Sequence, residues 1–258
     1  MKVHVYSLEG KPIEEIDLPS VFEEELRPDL IRRAVISAQT ARLQPWGVDV
    51  MAGKRTSAET WGKGFGVSRV RRVKGSKSPA AGLGAFSPHT VGGRRAHPPS
   101  VERVLHERIN RKERQLAVRS AIAATKERRF VSSRNHIIGG VAELPVVVSD
   151  ELEEIKKAKN AKEVLKKLGI WADIERVIQS RGVRAGMGKM RGRRYRQAVG
   201  PLIVVAQDRG IKLGAGNLSG VEVVTVGNLN AERLAPGGVP GRLTVWTKSA
   251  IQKLSGGD

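Results

Sequence analysis

The chain has 258 residues, a formal net charge of +20 and 40% hydrophobic residues, enough for one real core in one large domain or two small ones. It has no cysteine, which excludes disulfides, thiolate zinc sites and a cysteine nucleophile. No apolar run approaches the roughly 20 residues that cross a bilayer, and the alternating, soon acidic start Met1-Lys2-Val3-His4-Val5-Tyr6 does not read as a signal peptide.

Residues 3–7 and 13–18 read as two short strands around a Gly10-Lys11-Pro12 turn. Ser20 with Glu23 has capping-box spacing and predicts a helix to about Arg42, with Leu26, Leu30, Ile31 and Val35 on its apolar face. Pro45 ends it. The stretch from Gln44 to Ser100 then holds ten Lys/Arg against two acids (Asp49, Glu59), ten glycines and four of the eight Trp and Phe residues. It has too few apolar residues for a core, and a loop this long is functional or disordered. Cations suit phosphates and isolated aromatics suit unstacked bases, so the composition points to nucleic acid.

Pro98-Pro99-Ser100 closes the loop and predicts a helix over 101–127, with Leu105, Ile109, Leu116 and Ile122 near one face. Residues 145–148 read as a strand. Helices are expected at 150–158, 160–168 (Asn160 with Glu163 as a second capping box) and 171–180. Leu202-Ile203-Val204-Val205-Ala206 lacks polar alternation, as in a strand buried on both faces. Further strands are expected at 221–226 and 243–246, and a last helix at 247–254. Strands alternating with helices predict a three-layer, mostly parallel, Rossmann-like α/β fold with a long internal basic extended loop. Residues 1–43 and 101–258 would form the globular domain, and 44–100 the loop inserted in it.

The charge is concentrated. Residues 44–100 carry +8 and residues 181–197 carry +7 of the net +20. In the first stretch the candidate RNA-binding residues are Trp46, Lys54, Arg55, Trp61, Lys63, Phe65, Arg69, Arg71, Arg72, Lys74, Lys77, His89, Arg94, Arg95 and His97. In the second they are Arg181, Arg184, Lys189, Arg191, Arg193, Arg194 and Arg196. Arginine grips phosphate bidentately and lysine acts as a point charge.

Enzyme motifs fail. Gly188-Lys189 has Val183 and Met190 where a phosphate-binding loop needs Gly and Ser or Thr. Gly214-Ala215-Gly216 lacks the rest of a dinucleotide fingerprint, and the five histidines have no metal spacing. No catalytic residue, metal, cofactor, small-molecule substrate or membrane contact is expected.

Four stretches carry a resemblance: Thr60-Trp61-Gly62-Lys63-Gly64 to Arg69-Val70-Arg71, Pro88-His89-Thr90-Val91-Gly92-Gly93-Arg94-Arg95-Ala96-His97-Pro98-Pro99, Met190-Arg191-Gly192-Arg193-Arg194 to Gly200-Pro201-Leu202, and Pro236-Gly237-Gly238-Val239-Pro240-Gly241-Arg242-Leu243. With them, essentially the whole chain resembles the universal fourth protein family of the large ribosomal subunit, in its archaeal and eukaryotic form. The resemblance implies a structural protein that assists assembly in cytoplasmic ribosomes. It implies contacts with large-subunit ribosomal RNA and neighbouring ribosomal proteins, and a loop tip lining the peptide exit tunnel, with Lys63, Arg69 and Arg71 nearest the nascent peptide. On the residues alone, an RNA-modifying enzyme on a Rossmann-like sheet and a general DNA-binding protein remain the two other classes.

Overall fold

A computed structural model describes residues 1–255, and contacts divide the chain into two units. One is Met1–Thr40 with the chain from Glu107 onward. The other is Ala41–His106, wider at both ends than the stretch read as a loop.

The first unit is a mixed α/β body. In chain order it contains β1 (Lys2–Tyr6), β2 (Pro12–Asp17), α1 (Pro28–Thr40), α2 (Arg111–Ala123), α3 (Arg128–Ser133), β3 (Val146–Val148), α4 (Ala158–Lys167), α5 (Trp171–Ser180), β4 (Gly182–Val183) and β5 (Tyr195–Arg196). There follow β6 (Leu202–Val205), α6 (Ile211–Ala215), β7 (Glu222–Thr225), α7 (Ala231–Leu234), β8 (Thr244–Thr247) and α8 (Lys248–Ser255). The main sheet has the order β2-β1-β3-β8-β6-β7. Every pairing in it is parallel except that of the edge strand β2 with β1. β4 and β5 form a separate antiparallel pair.

The apolar runs explain the centre of this sheet. β3, β6 and β8 are buried at every residue, because helices cover both faces. Alternate side chains feed two cores. Val147, Leu202, Val204, Val224 and Trp246 pack with residues of α1, α2, α7 and α8. Val146, Val148, Ile203, Val205 and Val245 pack with residues of α3 to α6. Trp246 meets Phe22 edge-on at 5.6 Å, the favoured aromatic geometry. Among the described residues no helix is long and apolar enough to cross a membrane.

Four helix boundaries differ from the sequence expectation. Ser20–Glu23 is a 3-10 turn with no side-chain cap, and α1 starts only at Pro28. Proline lacks the amide a continuing helix needs and holds the residue before it extended. The Arg27 amide instead donates to Ser120 Oγ at 2.7 Å. The helix expected over 101–127 is confined to Arg111–Ala123. Val101 and Val104 are exposed, and a helical turn with nothing to bury gains too little to form. Asp150–Glu154 is another 3-10 turn rather than the start of a longer helix. Glu153 there is buried, and its Oε1 accepts from the Ala206 amide (2.8 Å) and the Thr247 hydroxyl (3.0 Å). A carboxylate thus ties the carboxyl ends of β6 and β8. Finally, α4 begins at Ala158, so Asn160 sits inside the first turn and does not cap.

α4 ends in a Schellman arrangement. The Gly169 amide donates to Lys166 O (3.1 Å) and the Ile170 amide to Leu165 O (3.0 Å), with Gly169 at φ +73°. A Cβ at Gly169 would lie 2.0 Å from Gly140 O. Gly169→Ala is therefore expected to destabilise the body by at least about 1–3 kcal/mol, read as a lower midpoint in urea unfolding. An unchanged midpoint would mean the turn has room that the packing denies.

One polar group is fully enclosed in the second core. Asp173 is buried and accepts from His136 Nδ1 (2.9 Å), the Ile137 amide (3.0 Å) and Arg176 Nε (2.9 Å). Burial alone would raise its pKa. The hydrogen bonds from His136, Arg176 and Ile137 outweigh it and hold the carboxyl below its ordinary 3.8. A depressed carboxyl stabilises the fold fully above that ordinary value and loses its contribution as pH falls through the folded value. Stability is thus expected to fall in the acid range below about pH 4, and Asp173→Asn is expected to flatten that limb in a pH series of thermal melts while lowering stability at neutral pH.

Candidate nucleic-acid interface

The second unit, Ala41–His106, contains no helix or strand. Its order comes from turns and two isolated bridges that share Arg72, which pairs antiparallel with Glu59 on one side and Gly84 on the other. The Arg72 amide donates to Glu59 O (2.8 Å), and the Glu59 amide returns a bond to Arg72 O (2.9 Å). The Arg72 guanidinium reaches Gly82 O at 3.0 Å and lies 5.5 Å from the Trp61 ring centre. Glycine makes the close approaches possible. Gly53, at φ +71°, sits against the Gly93–Arg94 backbone so closely that a Cβ would lie 2.5 Å from Arg94 N.

Two aromatic and arginine clusters stand on this frame. Trp61 and Phe65 are both exposed, with ring centres 6.1 Å apart and planes tilted by 58°. Phe86, a non-glycine residue at φ +69°, carries Arg71 over its ring at 4.4 Å and Arg94 at 5.9 Å. Cation–π contacts hold like-charged guanidinium groups near one ring and in fixed orientation.

The structure sorts the expected residues of this unit. Arg72 and Arg94 are half-buried and structural in the free chain, and Lys54 is half-buried as well. Lys74 pairs with Glu59 at 2.5 Å, and Arg55 pairs with Asp49, so those two cations are already partnered. Lys63, Arg69, Arg71, Lys77, His89, Arg95, His97 and Trp46 are exposed. Among the described residues, no hydrogen bond, ion pair or ring contact joins Trp46, Lys77, His89 or His97 to the Trp61 cluster.

The other basic stretch belongs to the body and forms a hairpin. Gly182 pairs with Arg196 and Val183 with Tyr195, and the Arg184 amide donates to Arg194 O at 2.9 Å. A 3-10 turn, Met187–Arg191, crosses the tip and ends at Gly192, whose φ is +78°. Arg181, Arg184, Lys189, Arg191, Arg193, Arg194 and Arg196 are all exposed. Tyr195 lies under Arg181 (4.7 Å) and Arg194 (5.5 Å).

Sequence reasoning left Phe86 and Tyr195 out of the site. Each is a ring with arginines close in sequence or facing across a turn, and that adjacency was the available signal. An exposed ring between ordered arginines, as at Tyr195, can stack on a base while they grip phosphates, as single-stranded RNA recognition requires, whereas the half-buried Phe86 holds its arginines in place. A crevice of about 750 Å³ lies in the body, among α1, α2, α8 and the turn at 226–230, and among the described residues no group of His, Asp or Glu is placed to hold a metal.

Comparison with known proteins agrees along nearly the full length. The model of the ribosomal protein L4/L1 family matches residues 16–257. The large ribosomal subunit protein uL4 of Methanosphaera stadtmanae is 56% identical over 253 residues, covering 98% of this chain and 96% of its own length. The same protein of Methanopyrus kandleri is 53% identical over 254 residues, with 98% of each chain covered. That of Pyrobaculum aerophilum is 51% identical over 256 residues, covering 99% of this chain and 89% of its own. Identity at this level spans the body and both basic stretches together, and with it the chain belongs to the ribosomal protein L4/L1 family.

Proposed function

We propose that the chain is a structural, non-enzymatic constituent of the large ribosomal subunit in the cytoplasm. The observation that carries this reading is near-full-length similarity to large-subunit uL4 proteins, joined to fifteen excess cations in two glycine-rich stretches. The body, with its mostly parallel sheet and helices on both faces, serves as a Rossmann-like platform without nucleotide chemistry. Residues 44–100 act as an extended insert that penetrates large-subunit ribosomal RNA. The tip around Trp61 to Lys74 helps line the peptide exit tunnel, with Lys63, Arg69 and Arg71 nearest the nascent peptide. Neighbouring ribosomal proteins are the remaining partners, and the insert assists subunit assembly.

The insert gains its final order on binding. Fixing the backbone costs about 1–2 kcal/mol per residue, and this unit buries little apolar surface to offset it. Phosphate contacts, base stacking and counterion release supply the difference.

The test is sedimentation. The protein is expected at one copy per large subunit, and to stay there through a moderate-salt wash. Protein found mostly free, or stripped at low salt, would overturn the assignment.

A further inference from the structure

A second cationic surface lies on the body, away from both basic stretches in sequence. Residues 156–167 contain six lysines (156, 157, 159, 162, 166 and 167) and one acid, Glu163. α4 spans most of this segment and buries Ala161, Val164 and Leu165, which leaves all six lysines exposed. Among the described residues none of the six has a carboxylate within ion-pair distance; the lysine pairs are formed by Lys11, Lys74 and Lys248.

The surface is built rather than merely charged. Lys162 and Lys166, one turn apart, both lie over the Trp171 ring, at 4.8 and 5.9 Å. The indole is oriented by its Nε1–H bond to Glu175 Oε1 at 2.7 Å. The ring offsets the repulsion between the two ammonium groups and aligns them along the helix. The patch continues at one end. A Cβ on Gly210 would strike the Lys156 side chain, which brings Lys156 beside α6 and its exposed Lys212. At the other end the Lys167 carbonyl packs against Gly10, in the turn where Lys11 is paired with Glu9, and the free charge stops there.

We propose that this lysine face binds the sugar–phosphate backbone of large-subunit ribosomal RNA. The proposal rests on the ribosomal assignment and adds to it a contact surface on the body. Phosphate is favoured over an acidic protein by what the face lacks. Among the described residues, α4 exposes no large apolar side chain, and the α6 end of the face adds Leu213 alone. Protein interfaces are depleted in lysine and need a buried aromatic or apolar anchor. Phosphates need only point charges at a regular spacing, and a lysine row on a rigid helix provides that.

The experiment measures binding of the full chain to large-subunit ribosomal RNA over a range of salt, for wild type and for Lys159→Gln/Lys162→Gln/Lys166→Gln. Loss of three phosphate contacts is expected to make the log–log salt slope shallower by about 2–3. The Lys→Arg triple at the same positions is expected to keep the wild-type slope. Circular dichroism melts confirm that the variants fold. A Gln variant with the wild-type slope and affinity would overturn the proposal. The same result with these lysines shielded from amine acetylation in intact subunits would also overturn it and assign the face to an acidic protein. If wild type itself binds no ribosomal RNA and is absent from large subunits, the ribosomal assignment fails first. A wild type that binds beside an unaffected variant sinks the lysine face alone.

Discussion

Replacing Arg242 with methionine is expected to destabilise the body by about 3–5 kcal/mol, because two backbone carbonyls each lose a charged donor in a dry site. The guanidinium is 1% exposed. Its Nε donates to Gly200 O (2.9 Å), and its Nη1 donates to Arg233 O (2.8 Å) and to Glu222 Oε2 (2.5 Å). Those partners flank β6, β7 and α7, so one side chain ties the amino ends of two strands to the segment entering β8. Burial pushes the Arg242 pKa down, and the Glu222 carboxylate beside it pushes back up. The residue stays charged because an arginine starts so high. Glu222 is 44% exposed at its side chain, so its share of the tie is screened by water and the two carbonyls carry most of it. This ranks the variants. Glu222→Gln should be mild. Arg242→Lys should be intermediate, because one ammonium cannot reach all three partners at once. Arg242→Met should be worst, because the carbonyls of Gly200 and Arg233 lose their donor in a dry site. A thermal melt reads the effect as a Tm drop of roughly 6–20 °C for a domain of this size. A drop no larger than that of Glu222→Gln would mean that the carbonyls find other donors.

Arg242 also shows where sequence reading stops. Its turn, Pro236 to Leu243, stands out in the chain, but nothing in the residue order says that this arginine points inward while those of the Arg181–Arg196 hairpin point outward. The same holds for Glu153, which reads as one of several acids in a polar helix and is in fact a buried tie between strands. What the sequence does carry is whatever depends on one segment alone. The runs Val146-Val147-Val148 and Leu202-Ile203-Val204-Val205 are buried strands because no other place suits an unbroken apolar run. The helix at 171–180 follows from its own periodicity. The break at Pro28 is local too, but the Ser20–Glu23 capping-box spacing points the other way, and only the fold decides between two local signals. The missing helix over 101–110 depends on the absence of a core opposite Val101 and Val104, and absence of a partner is a tertiary fact. For the candidate interface, uncompensated charge is legible because it is a count. Which cations are already engaged is not: the pairs Lys74–Glu59 and Arg55–Asp49 and the inward turn of Arg72 appear only in the folded chain.

That division of the cations gives the second large effect. Arg69→Ala/Arg71→Ala is expected to weaken binding to large-subunit ribosomal RNA at low salt and to make the log–log salt slope shallower by about 1.4–1.8, the loss of two phosphate contacts. Both side chains are exposed, and among the described residues only Arg71 has a side-chain partner, the face of Phe86. Neither anchors the unit, so the two curves should converge as salt rises and the electrostatic part fades. Arg72→Ala should behave differently. Arg72 carries the same formal charge, but its guanidinium is used inside the unit, on Gly82 O and beside Trp61, and is half-buried. Its removal should loosen the junction of the 59, 72 and 84 segments and release Trp61 from its place near Phe65. The loss then lies in ordering and stacking, which salt does not screen, and stacking is worth about 1–3 kcal/mol per base. Arg72→Ala is therefore expected to keep a near-normal slope while lying below wild type at every salt concentration. Titrations of the two variants side by side decide the matter. Parallel loss of slope in both would show that Arg72 leaves its internal contacts on binding and grips a phosphate like its neighbours. An unchanged slope in the double variant would remove the 69–71 stretch from the interface.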